Sequence, residues 1–154
     1  MAGNLEGMLS PILTTRSVGP QRPRRVLLIE DNPGDVRLFR EALAGAGDGQ
    51  FELETASRLS QGVRRLSKGG VDVVVLDLYL PDGRPAQILR RAGEQIVDVP
   101  VVVLTGVRDE ATAVRAFYEG TADYLVKGSV RGAELVRCLD RVIEHHRLPT
   151  ESRM

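Results

Sequence analysis

The chain has 154 residues, with 42% hydrophobic and 27% charged residues, enough for one domain with one good core and typical of a soluble globular protein. Its formal net charge is zero, so the overall balance exerts no pull toward nucleic acid or an anionic membrane. The single cysteine, Cys138, excludes an intrachain disulfide or a CxxC metal pair and fits a reducing cytoplasm, and no apolar run approaches the roughly 20 residues of a membrane span.

Residues 1–24 mix Gly, Pro, Ser, Thr and Arg without periodicity and read as a mobile tail. Over residues 1–25, Arg16, Arg22, Arg24 and Arg25 stand against Glu6, leaving the remainder of the chain acidic. A first strand, β1, runs from Arg25 to Ile29 and ends in Glu30 and Asp31. Asn32 then caps a helix, α1, with Pro33 at its first position and Asp35 in its first turn. Val36, Phe39 and Leu43 share its inner face, and Gly45 and Gly47 stop it. Phe51 to Thr55 alternates apolar and polar residues, as an edge strand does, and forms β2. Ser57 or Ser60 opens α2, whose inner residues are Leu59, Val63 and Leu66, and Gly69-Gly70 closes it.

Val73 to Asp77 is a continuous apolar run ending in one acid, with Pro81, Asp82 and Gly83 beyond it. Such a run suits a strand buried on both faces, β3. Arg84 to Glu94 gives α3, limited by Pro85 and Gly93, and Pro100 to Thr105 gives β4. Asp109 to Glu119 gives α4, with Val114 and Phe117 inward and Gly120 as its stop. Asp123 to Val126 forms β5, followed at once by Lys127 and Gly128. The last helix, α5, spans about Val130 to His146, with Leu135, Leu139, Val142 and Ile143 on one face and a short tail at 148–154.

Strand–helix alternation implies a parallel sheet with helices on both faces. Five such units are too few for a closed eight-fold barrel, so an open, doubly wound α/β sheet is expected. In that sheet the polar residues at the strand carboxyl ends share one edge, where ligands of open α/β sheets bind. Those residues are Glu30, Asp31, Asp77, Thr105 and Lys127. Clustered carboxylates with oxygen-only donors call for a hard cation, and Mg²⁺ suits them.

The segments VLLIEDNPGD, VVVLDLYLPDG, VVVLTG and ADYLVKG resemble, in order and spacing, the receiver domain of the bacterial two-component response-regulator family. The resemblance covers about 25–147. It implies a flavodoxin-like sheet of five strands in the order 2-1-3-4-5 with five helices. It also implies that Asp77 accepts a phosphoryl group from a histidine kinase or phosphotransfer protein, so that the domain is a signalling module rather than an enzyme. Asp31 would bind Mg²⁺ directly, Glu30 through water, and the backbone carbonyl of Tyr79 would complete the protein's ligands together with Asp77. Thr105 and Lys127 would hold phosphoryl oxygens. Tyr124 stands where the family has an aromatic switch residue that turns inward as Thr105 moves, altering the α4–β5–α5 face toward a downstream protein target or a second copy of the chain.

Three departures from the family pattern stand out. Gly128 follows Lys127 where proline is common, which leaves the lysine loop looser. Gly106 follows Thr105 where alanine is frequent, with no expected loss. Tyr79 and Val107 occupy positions that tune phosphoryl lifetime, and a bulky Tyr79 is expected to slow hydrolysis. His145 and His146 complement the dipole at the end of α5, Cys138 is packing, and Lys68 belongs to a helix terminus. With no output domain after Arg147, the expectation is a stand-alone cytoplasmic receiver that makes no direct contact with nucleic acid and inserts into no membrane. A phosphorylation-independent scaffold, and a receiver taken from a larger sensor kinase or signalling enzyme, are the alternatives. A flavodoxin-like cofactor binder is excluded by the lack of a glycine-rich phosphate loop after β1.

Overall fold

The computed structural model describes residues 22–46, 49–106, 120–128 and 131–147. Its five strands are β1 (Arg24–Ile29), β2 (Phe51–Ala56), β3 (Val73–Asp77), β4 (Val101–Thr105) and β5 (Asp123–Val126). All pair in parallel, in the order β2-β1-β3-β4-β5, as expected. Four helices lie among the described residues: α1 (Pro33–Ala46), α2 (Leu59–Leu66), α3 (Pro85–Gln95) and α5 (Gly132–His146). The stretch expected to form α4, with Val114, Phe117 and the neighbouring Val107, lies outside them.

The two faces of the sheet read directly from the period of two along each strand. Val26, Leu28, Val73, Val75, Val102 and Leu104 pack against Phe39 and Leu43 of α1 and against Leu135, Leu139, Val142 and Ile143 of α5. Leu27, Ile29, Val74, Leu76 and Val103 face the other way, onto Leu59 of α2 and Ile88, Leu89 and Ala92 of α3. Every residue of β3 is buried, because it is the central strand and has a helical layer on both sides. Each fully buried leucine or isoleucine in these layers contributes roughly 1.5–3 kcal/mol. The helical layer of α1 and α5 is close-packed: a Cβ at Gly132 would stand 2.6 Å from the carbonyl oxygen of Ala42, so glycine is required for that approach.

Helix boundaries depart from the local reading in informative ways. Neither Ser57 nor Ser60 caps α2. Its N-cap is Arg58, which makes no side-chain cap, and the carboxylate of Asp82, from the loop after β3, accepts the N–H groups of Leu59 and Ser60 at 3.1 Å each. Ser57 instead donates its hydroxyl to Gln61. α1 runs through Gly45 and α3 through Gly93, since packing of the apolar faces outweighs about 1 kcal/mol of unfavourable glycine propensity. Two basic residues of the expected tail, Arg22 and Arg24, are absorbed by the domain itself. Arg24 opens β1 and pairs with Asp140 and Glu144 of α5, while Arg22 and Arg147 both reach Asp72.

Among the described residues, no helix is long and apolar enough to cross a membrane.

Candidate functional site

The carboxyl ends of β1, β3, β4 and β5 bring the expected residues together. Glu30 directly follows β1 and is 2% exposed, Asp77 ends β3 at 2%, and Thr105 ends β4 at 3%; these are the buried polar side chains among the described residues. Asp31, the next residue along, is exposed. The turn into α1 is built by Asn32, whose Oδ1 accepts the N–H groups of Gly34 at 2.9 Å and Asp35 at 3.0 Å. That cap fixes the direction in which the chain leaves Glu30 and Asp31. It also places Asp35 in the first turn, where its charge complements the helix dipole.

Asp77 is held at both oxygens. Its Oδ1 accepts the Tyr79 N–H at 3.0 Å, and its Oδ2 accepts from the Lys127 ammonium at 3.3 Å. Lys127 emerges from the end of β5, its backbone N–H donating to the Thr105 carbonyl at 2.7 Å. Its Nζ lies 2.6 Å from Glu30 Oε1 and 2.9 Å from Asp35 Oδ2. The Glu30 contact has the distance of an ion pair without hydrogen-bond alignment, so Oε1 remains a buried oxygen with no aligned donor. Burial and the neighbouring Asp77 push the Glu30 carboxyl up to about 8 against the opposing pull of Lys127. Burial draws the Lys127 ammonium down, but its close contacts with the Glu30 and Asp35 carboxyl groups and the charge of Asp77 outweigh it and hold Lys127 above its ordinary range. Thr105 donates its hydroxyl to the Leu125 carbonyl at 3.3 Å, and Tyr124, on the edge strand, is 40% exposed. The Lys127 loop turns through Gly128, whose φ of 80° lies in the left-handed region that glycine adopts freely and proline cannot.

One carboxylate oxygen from each of Glu30, Asp31 and Asp77 falls within 4.8 Å of the others. The donors are all hard oxygens, Asp31 is open to water, and Glu30 Oε1 lacks an aligned proton donor. This set fits a small divalent cation that retains part of its hydration shell. The sequence pointed to five of the side chains gathered here, and it missed the sixth. Asp35 was legible only as a helix-dipole acid, and no local signal connects it with a lysine ninety-two residues further along the chain.

With this geometry in place, comparison with known proteins is informative. Residues 26–140 match the response regulator receiver domain, and the chain belongs to that family. The KDP operon transcriptional regulatory protein KdpE of Escherichia coli K12 is 37% identical over 102 residues, which cover 66% of this chain and 44% of KdpE. The transcriptional regulatory protein TrcR of Mycobacterium tuberculosis is 35% identical over 105 residues, covering 68% of this chain and 40% of TrcR. The chain thus spans less than half the length of these curated relatives. A response regulator receiver domain protein from Clostridium thermocellum superposes with a TM-score of 0.68 at 26% identity, over 85% of this chain and 99% of that one. The protein is therefore a receiver of the kind used in two-component signal transduction.

Proposed function

We propose that this receiver accepts a phosphoryl group on Asp77 from the phosphohistidine of a partner kinase or phosphotransfer protein, and that the modification switches its binding to a downstream protein. An Asp77 oxygen forms the new P–O bond as the P–N bond of the donor breaks, and the imidazole nitrogen leaves with the electron pair. Glu30, Asp31, Asp77 and the backbone carbonyl of Tyr79 are the residues that would hold Mg²⁺. Bound there, the ion supplies positive charge against the charge growing on the phosphoryl oxygens. The chain's own residues do the positioning. The Tyr79 N–H fixes one Asp77 oxygen, which leaves the other for attack. Lys127, already in contact with that second oxygen, neutralises charge on the incoming group.

In the switch, Thr105 exchanges the Leu125 carbonyl for a phosphoryl oxygen, Tyr124 turns inward, and the α4–β5–α5 face changes. Phosphorylation thereby biases a two-state element. The exposed Tyr79 beside the acceptor shields the acyl phosphate from water and slows its hydrolysis. The reading applies equally to a receiver acting alone and to one carried within a longer chain.

The observation that carries this reading is the buried Asp77 at the end of the central strand, with an ammonium and two further carboxylates around it. Incubation with Mg²⁺ and acetyl phosphate tests it. An aspartyl phosphate is expected, lost on Asp77→Asn and on chelation of the metal. An Asp77→Asn protein labelled as strongly as the wild type would refute the assignment.

A further inference from the structure

Lys127 has three N–H donors and three acidic neighbours, at 2.6 Å for Glu30, 2.9 Å for Asp35 and 3.3 Å for Asp77. A phosphoryl group on Asp77 would add a claimant with close to two negative charges and three acceptor oxygens. Those oxygens would lie beyond the Asp77 carboxylate, so the ammonium must shift to meet them and draw away from one of its present partners. Glu30 has no side-chain exposure, so no water can take the place of the ammonium there. Asp77 is itself bonded to the new group. The Asp35 side chain is 33% exposed, so water can replace the ammonium there at little cost.

Two features hold the backbone of Asp35 in place. Its backbone N–H is tied to the Asn32 cap at 3.0 Å, and it sits in the first turn of α1, whose inner face is locked onto the sheet by Phe39 and Leu43. Asp35 and Lys127 also border a cavity of about 520 Å³ between α1, β5 and α5, lined further by Leu38, Phe39 and Leu135, which gives the lysine stem room to swing.

We propose that Asp35 is a positioning residue: it parks the Lys127 ammonium in the resting receiver and is the partner that Lys127 leaves when Asp77 is phosphorylated. This rests on the reading of Asp77 as phosphoacceptor. Asp35 stabilises the resting arrangement and opposes the modified one, so removing its charge favours the modified one.

The test uses the full chain, saturating Mg²⁺ and beryllofluoride, which mimics a phosphoryl group on a carboxylate, with affinity read by titration calorimetry. Asp35→Asn is expected to bind beryllofluoride about threefold tighter or more, the scale of a lost part-exposed ion pair. Asp35→Glu, which restores the charge, is expected to return toward the wild-type affinity, an effect that general loosening of α1 would not produce. Asp35→Ser, with the same expected gain, replaces the asparagine variant if that one does not fold. Wild-type binding that Asp77→Asn abolishes but Asp35→Asn leaves unchanged or weakens would overturn this inference alone. A wild type that binds no beryllofluoride would overturn the phosphoacceptor reading and this inference with it.

Discussion

Asp82 offers a sharp test of how the loop beyond β3 is tied to the rest of the fold. Its two carboxylate oxygens accept the first N–H groups of α2, from Leu59 and Ser60, and its backbone carbonyl accepts from Arg91 of α3 at 2.8 Å. Replacing Asp82 by alanine orphans both helix donors and removes a negative charge from the N-terminus of α2. Loss of an N-cap costs about 1 kcal/mol and as much as about 2. For a domain of this size that lowers the melting temperature by roughly 2–8 °C. Asp82→Asn, which keeps one acceptor and the shape, should lose about half as much.

The deficit depends on pH in a defined direction. Burial raises the Asp82 carboxyl, but the backbone N–H donors of Ser60 and Leu59 and the charge of Arg91 outweigh it and hold it below its ordinary 3.8. A depressed acid stabilises the fold above its unfolded value, and that stabilisation disappears as pH falls through the folded value. Urea unfolding of wild type and Asp82→Ala at pH 7 and at about pH 3 should therefore show the gap shrinking in acid. A gap absent at neutral pH, or one of constant size across that range, would refute the capping assignment.

Other consequences are more local. Gly132→Ala should destabilise the domain by about 1–3 kcal/mol in denaturant titrations, since the new methyl meets the backbone of Ala42 rather than a yielding side chain; unchanged stability would contradict the close packing of α1 on α5. Burial and the charge of Asp123 push the Cys138 thiol up to about 11, so at pH 8 only about one thiol in a thousand is ionised. Alkylation of the native protein should be slow and should jump on unfolding, and labelling at the rate of a free thiol would show the site to be open. Gly128→Ala should cost about 1 kcal/mol in thermal unfolding because of the left-handed φ, and no cost at all would mean that the turn relaxes to another conformation.

What the sequence disclosed and what it withheld divide along a physical line. The Val-rich runs of β3 and β4, the Asn32-Pro33 helix start and the polar residue closing each strand are local signals, and the parallel topology carries them to one edge without further information. That is why Glu30, Asp31, Asp77, Thr105 and Lys127 were identifiable as a group. The Asp82 cap, the Arg24 pairing with α5 and the Asp35–Lys127 pair join residues far apart in the chain, and side-chain pairing at such separation leaves no periodic trace. Ser57 and Ser60 misled for the same reason: a serine before a helix is a competent cap, but a carboxylate from another loop holds the position.

The central claim is that Asp77 is the phosphoacceptor of a working receiver. The most direct measurement is borohydride reduction of protein treated with acetyl phosphate and Mg²⁺, followed by peptide mass spectrometry, since reduction of an aspartyl phosphate converts the residue to homoserine. The account predicts homoserine at position 77, dependent on Mg²⁺. Homoserine at another aspartate, with position 77 intact, would contradict it.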